Sequence, residues 1–170
     1  MKPLLFLLIF VTASICQAQP PEVTERFKAQ VYQSPSSGLS IGYRVLIPST
    51  IEQDGAGTTY PLIVFLHGAG ERGDDNVAQL VHGMNDLCTD EMMARHPAFV
   101  IAPQCPDEQR WSNVDWSSPS STLPEVPSDS MAATIELVDA MCEEFPIDRG
   151  RLYITGLSMG GYGAWDALAR

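Results

Sequence analysis

A short apolar strand, Leu152-Tyr153-Ile154-Thr155, runs straight into Gly156-Leu157-Ser158-Met159-Gly160-Gly161 and from there into a helix, and this junction constrains the chain more than any other stretch. A serine hydroxyl is a poor nucleophile unless the backbone holds it out bare toward a base, and a sharp strand-to-helix turn does so by putting the side chain at the tip of the bend. Gly156 and Gly160 fit that turn because a side chain at either position would collide with the neighbouring element. Met159 serves through its backbone: at the start of a helix, its N–H can meet the oxyanion formed when an acyl carbonyl is attacked. Ser158 is therefore the candidate nucleophile and Met159 a candidate oxyanion donor.

The chain before this junction reads as a layered α/β unit. Gln19 to Glu25 is a polar lead-in. Phe27 to Gln33 and Ser40 to Ile47 alternate apolar and polar residues across the turn Ser34-Pro35-Ser36-Ser37-Gly38, which predicts an antiparallel hairpin. Pro61 to Leu66 is continuously apolar, as a strand covered on both faces must be. It ends in the glycine-rich loop His67-Gly68-Ala69-Gly70-Glu71-Arg72-Gly73-Asp74-Asp75-Asn76, at the end of a strand where open α/β sheets place their ligands. Asp86 to Arg95 predicts a short helix and Ala98 to Ala102 a second buried strand. Gln104 to Pro127 is a long loop holding Trp111 and Trp116, and loops of that length are functional or mobile. Ser128 or Ser130 caps a helix with Met131, Ile135, Val138 and Cys142 at helical spacing. Ile147 to Arg151 reads as a charged turn, Leu152 to Thr155 as a third buried strand, and Met159 to Arg170 as the last helix. The resulting order, β-β-β-α-β-α-β-α, is an α/β class with a mostly parallel sheet and an antiparallel hairpin at its N-terminal side.

Composition narrows the setting. With 170 residues, 45% hydrophobic and 18% charged, the chain has the length and balance of one globular domain. Met1-Lys2, the apolar run Leu4 to Ile15 and the small residues Cys16 and Ala18 around Gln17 form a signal-peptide pattern, with the apolar run too short to span a bilayer. Residues 1–18 are thus expected to be a leader cleaved after Ala18, residues 19–170 the domain, and the protein secreted or periplasmic. A lipoprotein acylated on Cys16 is disfavoured because Ile15 is bulky for such a processing site. The formal charge of −11 becomes more negative when the leader takes Lys2 with it, which speaks against nucleic acid and anionic membranes as partners. Cys88, Cys105 and Cys142 leave any one disulfide or none open. No residues stand at metal-ligand spacing, and nothing calls for a cofactor.

Three blocks together resemble a known family: Leu66 to Asn76, then Ala102-Pro103-Gln104-Cys105-Pro106 with Arg110-Trp111, then Thr155-Gly156-Leu157-Ser158-Met159-Gly160-Gly161-Tyr162-Gly163-Ala164-Trp165. Their order is similar to the N-terminal half of an α/β-hydrolase, in the secreted phospholipase/carboxylesterase-like and prolyl-oligopeptidase-like group of predicted peptidases. The resemblance implies that Ser158 is the nucleophile, that Met159 gives one oxyanion N–H, and that Ala69, in the loop after His67-Gly68, gives the other. It implies cleavage of a carboxylic ester of a small molecule or polysaccharide through an acyl-enzyme. A serine peptidase is the alternative within the fold, and a non-catalytic binding protein the alternative outside catalysis. In this fold the acid and histidine of the triad follow the serine, whereas Arg170, the last residue, lies 12 positions after Ser158. His67, His82 and His96 all precede Ser158 and read as structural or surface residues, so the chain is expected to be a fragment truncated after the elbow helix. Trp111 and Trp116 are candidates to stack on a sugar ring or aromatic acid, or to cover the core. Arg72 is a candidate substrate clamp, or the partner of Glu71 in an ion pair that fixes the loop.

Overall fold

Pro61 has no N–H to give to a sheet, and the central strand that contains it is built around that gap. In the computed structural model, which describes residues 21–170, strand β3 (Tyr60–Leu66) lies between two parallel neighbours, β4 (Phe99–Pro103) and β5 (Ile147–Gly156). Tyr60 pairs with Ile147 and Leu62 with Leu152, so residues 148–151 bulge opposite Pro61. The expected charged turn at Ile147 to Arg151 is therefore part of β5. Arg151 Nη2 closes the bulge by donating to the Thr59 carbonyl at 2.7 Å. The proposed leader, with Cys16, lies outside the described residues.

The hairpin appears as expected. β1 (Lys28–Gln33) pairs antiparallel with β2 (Ser40–Leu46), β2 pairs antiparallel with β4, and the sheet order is β1-β2-β4-β3-β5. Residues of β3 and β4 alternate between two apolar layers. Leu62, Val64, Leu66, Phe99 and Ile101 face one cluster with Met131, Leu137 and Met141, while Val100 and Ala102 face another with Val23, Phe27, Leu80 and Met84. The described sheet is mixed, with two antiparallel and two parallel pairings, and helices on both faces are what the uninterrupted apolar strands of its parallel part require.

Four local expectations are corrected. Pro21–Arg26 is a helix, α1, because Val23 and Phe27 are fully buried in the second cluster and Arg26 joins Glu22 and Asp90 at 3.2 and 2.7 Å. A helix of this length has no stability apart from such docking. The helix expected over Asp86 to Arg95 is two, α2 (Met84–Leu87) and α3 (Asp90–Arg95), since Thr89 Oγ1 caps the second by accepting from Met92 N–H at 3.2 Å. Helix α4 (Asp129–Glu144), capped by Ser128, buries Met131, Thr134, Leu137 and Met141, while Ile135, Val138 and Cys142 lie at the margin of that face. Finally, β5 is the edge of the described sheet rather than a buried strand, with Leu152 41% and Tyr153 56% exposed. Among the described residues Cys88, Cys105 and Cys142 are all free, and burial pushes the Cys105 thiol up to about 11, far from a reactive thiolate. Among the described residues no helix is long and apolar enough to cross a membrane.

Candidate active site

The end of β3, the end of β5 and the start of helix α5 (Met159–Leu168) meet backbone to backbone. A Cβ built on Gly160 would sit 1.9 Å from the Leu66 carbonyl oxygen, and one on Gly156 would sit 2.2 Å from the Gly160 oxygen. Leu157 N–H donates to Leu66 O at 3.0 Å, tying the turn to β3. Ser158 sits at the tip with φ 52° and ψ −113°, exposed to solvent. A non-glycine residue held there stores on the order of 1–3 kcal/mol, and such strain collects at functional sites. Both glycines therefore have the close-approach role read from the sequence.

The loop after β3 passes beside this serine. A Cβ on Gly68 would lie 3.7 Å from Ser158 Cβ, 3.6 Å from Leu157 O and 2.9 Å from Glu71 Oε2. Met159 is buried to 2% exposure, so its side chain belongs to the core. Its N–H is among the first amides of α5, which have no acceptor within a helix. Ala69 is oriented from both sides. The Gly68 carbonyl is turned toward His67, whose Nδ1–H donates to it at 2.6 Å, and in a planar trans peptide the Ala69 N–H must then point the opposite way. Arg72 Nε donates to the Ala69 carbonyl at 3.0 Å and Nη1 to the Gln109 carbonyl at 3.4 Å.

Arg72 thus fixes the loop through main-chain carbonyls. Glu71 instead faces His82, at 3.5 Å, so the Glu71–Arg72 ion pair weighed from sequence gives way to these contacts. Trp111 also departs from a substrate-facing role: it has no exposure, its Nε1–H donates to His67 O at 3.0 Å, and its ring meets His67 edge-on at 5.2 Å. Gly163 has no room for a Cβ against it, at 2.5 Å from Trp111 Cβ. Trp111 lies beneath the site and supports it.

His67 has both nitrogens engaged, since Nε2 accepts from Cys105 N–H at 2.9 Å. Burial holds this imidazole below its ordinary value and keeps it neutral. As pH falls, the unfolded chain takes up this proton first. Stability is therefore complete above about pH 6.5 and declines below it through the folded value, by up to about 1.4 kcal/mol per pH unit. Urea midpoints measured between pH 7.5 and 5 should fall in that window, above the range where unfolded carboxylates titrate. A slope that His67→Asn leaves unchanged would assign it to another group.

Two networks around the site were not legible in the sequence. Asp166, 2% exposed on α5, accepts from Ser112 Oγ at 2.6 Å and from Arg170 Nε at 2.5 Å, while Arg170 also donates to the carbonyls of Pro124 and Glu125 at 2.8 Å each. Asp75 Oδ1 accepts from the amides of Val77 and Ala78 and from Gln104 Nε2, and Gln104 Oε1 accepts from Asn76 N–H. Only the spacing of Asp166 and Arg170, four apart on a helix, was a sequence signal for either.

No family model matches the chain, and no curated protein matches it in sequence. Among solved structures it is similar to a thermostable esterase, at 38% identity and a TM-score of 0.74, over 86% of this chain and 38% of that one. It is similar in fold to a ferulic acid esterase, at 20% identity and a TM-score of 0.58, over 81% of this chain and 52% of that one. An S-formylglutathione hydrolase from Staphylococcus aureus shares 22% identity at a TM-score of 0.53, over 81% of this chain and 49% of that one. The chain spans 38% of the length of the first and about half of the other two. With the sheet order, the antiparallel hairpin at one edge and the elbow between β5 and α5, these likenesses give the chain an α/β-hydrolase fold, shared with these esterases and hydrolases over the part of their length that it spans.

Proposed function

We propose that the chain carries the nucleophile and oxyanion donors of a secreted serine hydrolase that cleaves carboxylic esters through an acyl-enzyme on Ser158. The observation that carries this reading is Ser158 itself, exposed at positive φ on the tip of the elbow and flanked by the Gly68-Ala69 peptide. Ser158 Oγ attacks the ester carbonyl as its proton passes to a base. The resulting oxyanion is met by the N–H groups of Met159 and Ala69, and collapse expels the alcohol. Water then repeats the sequence on the acyl-enzyme and releases the acid. The donors are preorganised, Met159 by the helix start and Ala69 by His67 and Arg72, so they need little rearrangement when charge develops. Ester cleavage is favoured over peptide cleavage by the likeness, at 38% identity, to an esterase.

His67 has no free nitrogen, and His96 ends α3 before the start of β4, at the opposite end of the strands from the elbow, so neither supplies the base. His82 Nε2 lies 3.5 Å from Glu71 and no hydrogen bond joins His82 to Ser158, and the family resemblance puts both the acid and the histidine after the serine. The reading therefore places the acid and the general base in polypeptide outside these 170 residues. A fluorophosphonate probe should label Ser158 in a protein extended by an esterase C-terminal half, and at least about 10³-fold more slowly in the 170-residue chain, as loss of a base predicts. Equal labelling rates would overturn the assignment of the base, and labelling at another residue would overturn that of the nucleophile.

A further inference from the structure

The long loop after β4 is held at several points, and it packs on the first turn of α5, the helix that follows Ser158. Trp111 is anchored under the site, and Ser112 is bonded to Asp166. The far end is held by Arg170 through the carbonyls of Pro124 and Glu125. Between these anchors Trp116 packs against Tyr162, with ring centroids 5.9 Å apart and planes at 54°, and the Arg110 guanidinium lies 4.5 Å from the Trp116 ring centre. Tyr162 follows Ser158 by one helical turn, its amide 3.4 Å from the Ser158 carbonyl oxygen. Side chains on a helix lean toward its N-terminus, so the Tyr162 ring is directed to the end of α5 where Ser158 sits. Tyr162 is 43% exposed, Trp116 half-buried and Arg110 exposed.

Resting on Ser158 as the reacting group, we propose that Arg110, Trp116 and Tyr162 form a specificity wall that takes a ring bearing a carboxylate on the substrate. The exposed Tyr162 ring and the part of Trp116 that Arg110 leaves uncovered suit a flat ring, aromatic or sugar. A guanidinium lying on an indole keeps its edge N–H groups free, and their fork matches the two oxygens of a carboxylate. Arg110 makes no hydrogen bond to another described residue, in contrast to Arg72 and Arg170, which are bound to carbonyls. The nearby Asp115 takes the Ser117 hydroxyl and amide on Oδ1 at 2.6 and 3.0 Å, and these bonds, helped by the Arg110 charge, hold its carboxyl below the ordinary value, but it makes no hydrogen bond to the guanidinium. In a chain with a net charge of −11, this guanidinium is a local attraction for an anion that the rest of the surface repels.

The test is ligand quenching of Trp116 fluorescence, read as the difference between the full chain and Trp116→Phe. Benzoate and glucuronate are the probes, with benzamide and glucose as counterparts that lack the carboxylate. At least one acid should quench saturably, its uncharged counterpart should bind at least tenfold more weakly, and Arg110→Gln should weaken the acid at least tenfold. Arg110→Lys, which keeps the charge but not the fork, should restore only part of that loss. Response to benzoate alone supports the wall with an aromatic ring, and response to glucuronate alone supports it with a sugar. No saturable quenching by either acid, or equal affinity in Arg110→Gln, overturns the wall. Fluorophosphonate labelling separates the two readings: a labelled Ser158 with an unresponsive Trp116 sinks the wall alone, whereas acid binding without labelling in the extended protein sinks the hydrolase reading.

Discussion

Ser158→Ala in the extended enzyme is expected to lower kcat for a short-chain p-nitrophenyl ester about 10⁶-fold with little change in KM, as removal of a triad serine does elsewhere. The size of the loss follows from what alanine cannot do: no acyl-enzyme forms, and water must attack without a positioned base relay. On the proposed reading, what survives is the work of the Met159 and Ala69 amides on the oxyanion together with substrate binding, which should leave a residual rate of about 10³–10⁴ over uncatalysed hydrolysis. The backbone strain at φ 52° belongs to the elbow rather than to the hydroxyl, so the variant should fold at least as stably as the parent. Retention of more than about one per cent of parental kcat, measured on protein freed of wild-type contamination, would show that Ser158 is not the nucleophile.

Gly160→Ala is expected to cost at least about 4 kcal/mol of stability, while Gly161→Ala, one residue on, should be neutral or stabilising by up to about 1 kcal/mol. The contrast rests on the two surroundings. The added carbon at Gly160 would stand 1.9 Å from the Leu66 carbonyl oxygen and 2.5 Å from its carbon, both backbone atoms of the central strand. At Gly161 the nearest atom, the Gly156 oxygen, is 3.8 Å away. Strand β3 cannot retreat without opening its ladders to β4 and β5, so the clash has no inexpensive relief. For a domain of this size the first change corresponds to a fall of roughly 8–16 °C in Tm. A Gly160→Ala protein melting within 2 °C of the parent would show that the elbow does not pack on β3 as described.

These two residues also show how far the sequence reaches. The pattern Gly-x-Ser-x-Gly after an apolar strand specifies a turn whose glycines have no substitute. The uninterrupted run of Pro61 to Leu66 specifies a central strand, with Leu62, Val64 and Leu66 buried on one face and Ile63 and Phe65 half-buried against the second cluster, whereas the similarly apolar Leu152 to Ile154 lies at the edge of the described sheet. Hairpin, central strand, elbow and the loop that meets it follow from such local regularities, and Ser158 and Met159 follow with them as candidates, while Ala69 is added by the family resemblance. The sequence does not contain the side on which a residue ends up when two distant segments meet. Trp111 and Trp116 are five apart in one polar loop, yet the first is sealed under Gly163 against His67 and the second lies against Tyr162 with Arg110 over it. Helix α1 is similarly invisible, since its polar sequence acquires a helix only by docking Val23 and Phe27.

The sequence by itself determined the α/β layering and the position of the candidate nucleophile, because periodicity and the glycine requirement of a tight turn act between neighbours in the chain. Tertiary structure alone decided that Arg72 orients the Ala69 peptide, that Asp166 is a buried anchor for the tryptophan loop, and that His67 is neutral with both nitrogens occupied. Each depends on desolvation and on hydrogen bonds whose donors and acceptors, apart from a few within the same turn, come together only when the sheet has folded.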